Sequence, residues 1–282
     1  MTTLKAKLEG KRVGVVLSAG FFGFFGHAGF VDGLLQNGIV PSAWSGTSAG
    51  GMIAGLCAAG LAPSKVAELL VARKKEHFWD PDYLGIAVDA LKKGHRPSGL
   101  LKGERFVKLL REFLPVQTFD EVRVPLLILT TNLTTQSAHV ITSGEIATAI
   151  HATCAYPGLF QAVRREGDLH WDGGIVDKAP ALALQEFAGD KLDALLVHYL
   201  PSRDGDKEPR GAFSYVSGMA SGMAAIRKDH FRLQLEVLKA RGVEVHVVTS
   251  ELPPVSPNEL HRGADAVAAG RASAIHALNQ RA

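Results

Sequence analysis

The chain has 282 residues, of which 46% are hydrophobic and 21% are charged, and its formal net charge at pH 7 is +3. This balance excludes a disordered chain, and the small charge without any basic run gives no support to nucleic-acid binding. The length allows one or two domains. Because the sequence contains no linker, repeat or low-complexity tract, we predict a single domain over residues 1–282.

The sequence also carries signals that bear on location. Cys57 and Cys154 lie in apolar, helix-like surroundings, which is typical of buried free thiols in a reducing compartment. The apolar run after Lys11 and Arg12 imitates a signal peptide, but Glu9 lies in its would-be basic region, and His27, Asp32 and many glycines interrupt the run. No stretch of about 20 apolar residues predicts a membrane-spanning helix. We therefore predict a cytoplasmic protein and leave peripheral membrane contact open.

The predicted elements alternate between strands and helices from the start. The valine-rich run "RVGVVLS" at 12–18 is typical of a strand buried on both faces. Helical spacing follows over 27–38. The short strand "SAWSG" then precedes a helix of small residues at 48–60. The next predicted helix covers 62–75, with Ser64 as its cap.

The rest of the chain continues the alternation after an irregular, aromatic stretch at 76–101, which could be a lid or an ordinary packed loop. Its candidate apolar contacts are Phe78, Trp79, Tyr83, Leu84 and Ile86. We predict helices at 102–114, 145–155, 218–242 and about 261–279, and strands at 124–136, 138–144, 192–200 and 243–250. Strands separated by helices favour a layered α/β/α sandwich with a mostly parallel central sheet.

The motif with the most chemistry is "GTSAG", Gly46 to Gly50, between the short strand and the helix of small residues. It has the Gly-x-Ser-x-Gly form of a nucleophile elbow, in which the glycines permit a sharp, strained turn at the serine. The helix that follows points its positive end at the site, which favours a developing negative charge. A turn without a catalytic role is the alternative, and the strand–turn–helix context favours Ser48 as a nucleophile.

A serine nucleophile needs a base. None of the histidines after Ser48 has a signature around it; they are His151, His170, His198, His230, His246, His261 and His276. The later stretch "HWDGGIVDKAP" instead places Asp172 directly before Gly173 and Gly174, after the short predicted strand "LHW". Because aspartate and glycine also favour plain turns, this stretch does not decide the question by itself.

Taken together, the motifs resemble those of the patatin-like phospholipases, lipid acyl hydrolases of bacteria and plants. The resemblance spans about Arg12 to Pro180. "LSAGFFGFFGHAGFVDGLLQNGI" resembles the family's oxyanion segment, "SGTSAGGMIAGLCAAG" its elbow and helix, and "ATAIHATCAYPGLFQAV" with "WDGG" the segment that carries its aspartate. The resemblance implies a patatin-like fold and a Ser–Asp dyad, with Ser48 as the nucleophile and Asp172 as its partner. We predict no cofactor and no metal.

A dyad of this kind makes a physical demand on the aspartate. An unperturbed carboxyl has a pKa of about 3.9, so its carboxylate is a poor base at neutral pH. Burial raises such a pKa and makes the carboxylate more basic. We therefore expect a dry site in which Asp172 points directly at Ser48, and a reaction that proceeds through an acyl-enzyme.

The opening loop departs from the family pattern, which has three glycines, any residue, then arginine and glycine. Aligned without gaps from Ser18, this chain has Ala19, Gly20, Phe21, Phe22, Gly23 and Phe24 there. We expect an oxyanion hole formed by backbone N–H groups around Gly20, Phe21, Phe22 and Gly23 in a modified turn. Because Gly23 stands where the family has arginine, activity on phospholipids does not follow from the resemblance.

Two further features are compatible with lipid contact. Phe21, Phe22, Phe24 and Phe25 could line an acyl-chain pocket or enter a membrane, and packing inside the fold is an equal alternative. Basic residues of the long helix could attract anionic lipid, although a solvated helix face is the favoured interpretation. They are Arg227, Lys228, Arg232, Lys239 and Arg241.

The sequence thus predicts a serine acyl hydrolase whose partner is a lipid-like ester. A transacylase that passes the acyl group to an alcohol or thiol is one alternative. A non-catalytic protein that binds lipid or another macromolecule is a second, supported only by the altered opening loop. Nucleotide binding is not supported, because the glycine-rich opening loop has neither the Lys-Ser/Thr end of a phosphate-binding loop nor a dinucleotide fingerprint. The motifs specify neither the oligomeric state nor the ester.

Overall fold

The computed structural model describes residues 2–83, 85, 99–202 and 214–281. Within them the helices are α1 (Leu4–Leu8), α2 (Phe24–Gln36), α3 (Ala49–Ala58), α4 (Pro63–Val71), α5 (Glu104–Phe113), α6 (Ile146–Thr153), α7 (Ala181–Ala188), α8 (Ser214–Ala240) and α9 (Gly263–Asn279). The strands are β1 (Val13–Leu17), β2 (Pro41–Thr47), β3 (Gly99–Leu101), β4 (Leu126–Asn132), β5 (Ser137–Ile141), β6 (Gly158–Phe160), β7 (Val163–Arg165), β8 (Asp168–Asp172), β9 (Ala194–Tyr199) and β10 (Glu244–Thr249).

The central sheet is mostly parallel and is covered by helices on both faces. Its strands run in the order β10–β9–β1–β2–β4, each parallel to its neighbour. Successive side chains of a strand point to opposite faces, so Val15 of β1 joins the hydrophobic cluster formed with α2, α3 and α9, whereas Val16 joins the cluster formed with α7 and α8. This arrangement confirms the predicted α/β/α sandwich.

The far edge of the sheet is antiparallel and determines where two strand ends meet. β5 pairs with β4 over Ile128–Asn132, a range that overlaps the pairings of both β2 and β8 with β4. Because a strand has two edges, β2 and β8 must share the other edge of β4, end to end. β2 ends with Thr47 opposite Leu129, and β8 ends with Asp172 opposite Thr130. The residue after Thr47 therefore lies beside Asp172.

Several helix starts differ from the sequence-based prediction, the largest difference being α8, which begins at Ser214 instead of residue 218, and the starts of α2 and α4 have local causes. α2 begins at Phe24 instead of residue 27, because the His27 N–H donates to the Gly23 carbonyl at 3.0 Å and extends the helix by a turn that buries Phe25. The cap of α4 is Ala62 and not Ser64, since Pro63 is the first helical residue. Proline is favoured at that position because its missing N–H would have no partner there.

Some elements had no sequence signal, and one prediction falls partly outside the described residues. The strands β6 and β7 have three residues each, too few to show an alternating pattern, and α1 and α7 were not predicted. In the irregular stretch, Phe78 and Trp79 pack partly against the core and Tyr83 is exposed, whereas Leu84 and Ile86 lie outside the described residues. Among the described helices, none combines the length and apolarity needed to cross a lipid bilayer.

Candidate active site

Ser48 occupies the turn between β2 and α3, as the elbow motif predicts. Its backbone has φ 55° and ψ −124°, a conformation that non-glycine residues seldom adopt. Strained backbone of this kind is characteristic of nucleophile elbows, because the sharp turn lifts the serine hydroxyl away from the strand. Ser48 is also the N-cap of α3, so the positive end of that helix adjoins its side chain.

The glycines on either side of Ser48 allow backbone segments to touch. A Cβ atom placed on Gly50 would lie 2.1 Å from the Leu17 carbonyl oxygen and 2.7 Å from that of Ser18. A Cβ atom on Gly46 would lie 2.4 Å from the backbone of Gly50. The first turn of α3 therefore lies directly against the end of β1, which brings the loop after β1 next to Ser48.

This contact leads to a prediction about stability. The variant Gly50→Ala should lower the free energy of unfolding by about 3 kcal/mol, because the clashing atoms belong to backbone that cannot rotate away. The matched control is Gly55→Ala in the same helix, where the added methyl group meets the tip of the Ile150 side chain at 2.9 Å. That variant should change the free energy by no more than about 1 kcal/mol. Urea unfolding of both variants provides the measurement, and equal effects would contradict the close approach.

Ser48 and Asp172 are in direct contact. The Ser48 hydroxyl donates to Oδ2 of Asp172 at 2.6 Å, and the Gly174 N–H donates to Oδ1 at 2.7 Å. The backbone of Asp172 is held as well, since its N–H donates to the Ala155 carbonyl at 2.9 Å and its carbonyl accepts from the Thr131 hydroxyl at 2.8 Å. The structure thus brings the two predicted residues together and fixes the carboxylate from several sides.

The surroundings of Asp172 change its acidity. The residue is only 4% exposed, and this burial raises its pKa to about 6. Hydrogen bonds from Ser48 and Gly174 and the charge of Arg227 oppose the increase, because they favour the ionised form. The result is a carboxylate that is more basic than a free one and is still mostly ionised at pH 7.

Arg227 contacts the turn that follows Asp172. From α8, its Nη1 donates to the Gly174 carbonyl at 2.8 Å. The other members of the predicted basic stripe are exposed: Lys228, Arg232, Lys239 and Arg241. The sequence predicts all five on one helix, whereas α8 ends at Ala240, just before Arg241, and the spacing does not reveal that Arg227 reaches a turn more than fifty residues earlier in the chain. The sequence carried no signal that could have singled out Arg227.

The loop after β1 presents unoccupied backbone donors beside this pair. The Ser18 N–H donates to the His198 carbonyl at 3.1 Å, the Ala19 N–H to the Lys178 carbonyl at 2.7 Å, and the Gly23 N–H to the Gly20 carbonyl at 2.8 Å. The N–H groups of Gly20, Phe21 and Phe22 donate to no acceptor among the residues that the structure describes. Of the four predicted oxyanion donors, three N–H groups are thus open to an acceptor, whereas the N–H of Gly23 is used in the hydrogen bond of the turn itself.

Two observations describe the shape of this loop. Phe22 has φ 53°, so the modified turn uses a left-handed backbone at a non-glycine residue. A Cβ atom on Gly174 would lie 2.8 Å from that of Ala19, so the loop runs alongside the Asp172 turn. Phe25 is buried and Phe22 and Phe24 are partly buried, which indicates packing for these three.

Phe21 differs from the other phenylalanines of the loop. It is 66% exposed, and its ring centroid lies 6.5 Å from that of Tyr156, which is 44% exposed. The two aromatic rings therefore form an apolar rim that adjoins both the loop after β1 and the segment before β6. Of the two interpretations for these phenylalanines, packing and lipid contact, the structure favours a surface position only for Phe21.

Within the described ranges, no histidine takes the place of Asp172 beside Ser48, and no group of side chains could hold a metal ion. There, the Ser48 side chain bonds to Asp172, and no histidine is hydrogen-bonded to either residue. His151, His170 and His198 are buried elsewhere, and His198 bonds to His27. Nor do residues 2–83, 85, 99–202 and 214–281 contain a group of three or more His, Cys, Asp or Glu side chains that could hold a metal ion.

Comparison with known proteins adds a family assignment. The family model described as patatin-like phospholipase matches residues 15–184, more than half of the chain. An uncharacterized NTE family protein of Mycobacterium tuberculosis is 26% identical over 181 residues, which cover 63% of this chain and 29% of that protein. The lysophospholipase nte1 of Emericella nidulans is 24% identical over 220 residues, covering 77% of this chain and 14% of that protein. The chain therefore spans less than a third of the length of either relative.

Among solved structures, VipD from Legionella pneumophila is similar with a TM-score of 0.48 and 15% sequence identity. The alignment covers 93% of this chain and 66% of that one.

Proposed function

The chain belongs to the patatin-like phospholipase family, and from this premise we propose that it is a serine hydrolase of lipid-like carboxylic esters. The observation that carries the proposal is the 2.6 Å hydrogen bond from the Ser48 hydroxyl to the buried carboxylate of Asp172. A strained serine, a carboxylate of raised pKa and unoccupied N–H donors meet in one place, which is the combination that acyl transfer requires.

In the first half of the reaction, Ser48 Oγ attacks the ester carbonyl carbon while its proton passes to Oδ2 of Asp172. The carbonyl oxygen becomes an oxyanion, which accepts hydrogen bonds from the open N–H groups of Gly20, Phe21 and Phe22 and is favoured by the positive end of α3. When the tetrahedral intermediate collapses, the C–O bond to the leaving alcohol breaks and the proton on Asp172 moves to that alcohol. An acyl-enzyme on Ser48 remains.

In the second half, water attacks the acyl carbon and gives a proton to Asp172, and the C–O bond to Ser48 breaks. The carboxylic acid leaves and Ser48 recovers its proton. The raised pKa of Asp172 serves both halves, because a more basic carboxylate accepts the proton of a poorly acidic hydroxyl or water more readily. The apolar rim of Phe21 and Tyr156 supports a lipid-like acyl or alcohol group as the part of the substrate bound nearby.

The pH dependence of turnover tests this proposal. Since Asp172 acts as a base in its ionised form and has a pKa of about 6, kcat/KM for a p-nitrophenyl ester should be level above pH 7 and should fall about tenfold per pH unit well below 6. Initial rates from about pH 4.5 to about pH 9 provide the measurement, with product read at a pH-independent wavelength. A midpoint near 7 would indicate a histidine base, and no turnover at any pH would contradict the hydrolase itself.

A further inference from the structure

A series of buried polar side chains runs beneath the loop after β1 and has no role in the chemistry above. Nε2 of His27 lies 2.8 Å from the Ser18 carbonyl oxygen, and its Nδ1 lies 2.8 Å from Nδ1 of His198. Nε2 of His198 lies 2.8 Å from Oγ of Ser250, which lies 2.8 Å from Oγ of Ser273. Both imidazoles are fully buried. We call Ser18, His27, His198 and Ser250 the histidine array.

The partners of each imidazole determine which of its nitrogens carries the proton. A carbonyl oxygen can only accept, so His27 carries its proton on Nε2 and, when neutral, accepts at Nδ1. With His198 neutral as well, its Nδ1 donates to His27 and its Nε2 accepts from the Ser250 hydroxyl, whose single proton is then not available to Ser273. Each proton position thus follows from the fact that the Ser18 carbonyl must accept. All hydrogen bonds of the array are donated in the same direction, from Ser250 toward Ser18.

The array requires both imidazoles to be neutral. A proton added to Nδ1 of His27 would face the Nδ1–H of His198 across their 2.8 Å contact, and a proton added to Nε2 of His198 would remove the acceptor of the Ser250 hydroxyl. Burial lowers the pKa of His27 to about 4, an effect that its bond to Ser18 opposes and the charge of Lys178 reinforces. The pKa of His198 is also well below its ordinary value, mainly because the ring is buried and secondly because His27 lies next to it. Among the described residues, these imidazoles and Lys178 are the titratable groups that act here.

The array ends on the peptide from which the proposed oxyanion segment departs. The peptide between Ser18 and Ala19 is held at both ends, because its carbonyl accepts from His27 and its N–H donates to the Lys178 carbonyl. The Ser18 side chain is held as well, since its Oγ accepts from the Leu200 N–H at 2.8 Å. The orientation of this peptide determines the direction in which the next residues of the chain run.

We propose that His27 and His198 are positioning residues, whose neutral, one-directional hydrogen-bond array fixes the Ser18–Ala19 peptide and thereby aims the N–H groups of Gly20, Phe21 and Phe22 at the oxyanion. The inference rests on the proposed hydrolase function. Oxyanion donors act on the transition state more than on the bound substrate. Loss of the array should therefore lower kcat and leave KM nearly unchanged.

The first test replaces His27 by residues that keep or remove its two hydrogen bonds. Glutamine can donate to the Ser18 carbonyl and accept from His198, whereas phenylalanine has a similar volume and can do neither. We expect kcat for a p-nitrophenyl ester to fall about 10- to 100-fold in His27→Phe, with KM within about twofold of the parent. His27→Gln should retain kcat within about threefold.

A second variant separates positioning from general stability. His27→Phe leaves the buried N–H of His198 without an acceptor, which is destabilising by itself. The double variant His27→Phe/His198→Leu removes both polar rings, so its melting temperature should exceed that of the single variant while its kcat stays low. If kcat instead recovers together with the melting temperature, the rings contribute only stability and the proposal is overturned.

A third comparison applies if neither phenylalanine variant folds. His27→Asn carries the same amide as His27→Gln on a side chain too short to reach the Ser18 carbonyl. We expect it to lose at least about tenfold in kcat relative to His27→Gln, and equal values would overturn the proposal. Ser48→Ala is measured alongside every variant to give the rate that does not depend on Ser48. If the parent protein has no Ser48-dependent turnover, the proposed function fails; if that turnover is present and the His27 variants keep it, only the positioning role fails.

Discussion

Replacing Ser48 by alanine is expected to lower the turnover of a p-nitrophenyl ester by a factor of about 10⁴ or more, because it removes the oxygen atom of the proposed nucleophile. The change removes one oxygen atom, which donates to Asp172 at 2.6 Å. It leaves the elbow glycines, the open N–H donors and the Asp172 turn in place. The residual rate should therefore approach that of the uncatalysed reaction in a site that still binds the ester.

The matched control for this variant is Ser64→Ala, which removes the same hydroxyl from an exposed position on α4. A fluorophosphonate probe should label the parent protein and Ser64→Ala to the same extent and should fail to label Ser48→Ala. Circular dichroism establishes that the variants are folded. Undiminished turnover in Ser48→Ala would disprove the nucleophile assignment, whereas absence of turnover and labelling in the parent would favour the non-catalytic binding protein.

The variant Asp172→Asn should show two large effects of opposite kind. Turnover should fall about 10³- to 10⁴-fold, because a neutral amide cannot accept the Ser48 proton. The amide can still accept from the Gly174 N–H and donate to the Ser48 oxygen, so both hydrogen bonds to this side chain persist in altered form. We therefore expect the variant to fold, and to be more stable than the parent above pH 6.

The expected gain in stability follows from the pKa of Asp172, which rises from 3.8 to about 6 in the folded protein. Folding therefore favours the protonated carboxyl. Its contribution to stability is complete below about pH 3.8 and is lost as the pH rises through about 6. At pH 8 the buried charge costs up to about 3 kcal/mol, which asparagine avoids. Urea unfolding at pH 8 and at pH 4 should show a stabilised variant at pH 8 and a much smaller difference at pH 4.

Asp177 provides the matched control for activity, because it is a second buried aspartate in the same segment. Its carboxylate accepts from Gln234 at 2.9 Å and from the Ala179 N–H at 3.0 Å and does not contact Ser48. Asp177→Asn should keep fluorophosphonate labelling of Ser48, whereas Asp172→Asn should label far more slowly. Normal turnover in Asp172→Asn would refute the dyad, and an unchanged free energy of unfolding at pH 8 would refute the buried charge.

Both residues of the proposed dyad thus reduce the stability of the fold that holds them. Ser48 has a strained backbone, and Asp172 carries a charge into a buried site. Such costs persist where the surrounding structure over-determines a residue, as the close contacts at Gly46 and Gly50 do here. Stabilising replacements at these positions are therefore expected to reduce activity.

Much of the site was predictable because its signals are local. The elbow requires glycines next to the serine, and the turn after β8 requires small residues next to the aspartate, so both leave a pattern within a few neighbouring positions. The longer strands and helices likewise follow from the spacing of apolar residues. The sequence does not predict the start of α2, because the glycine-rich residues before His27 have no helical pattern of their own, and the turn from Phe24 forms where the His27 N–H donates to Gly23 and Phe25 is buried.

The sequence by itself determined the main alternation of the longer strands and helices, the elbow motif at Ser48 and the Asp-Gly-Gly motif at Asp172, since each depends on residues close together in the chain. Only the tertiary structure decided which side chains from distant parts of the chain come into contact. β2 and β8 end against neighbouring residues of β4, which joins Ser48 to Asp172. His27 meets His198, 171 residues away, because β1 and β9 are paired. Contacts of this kind arise from strand order, which no periodicity in the sequence encodes.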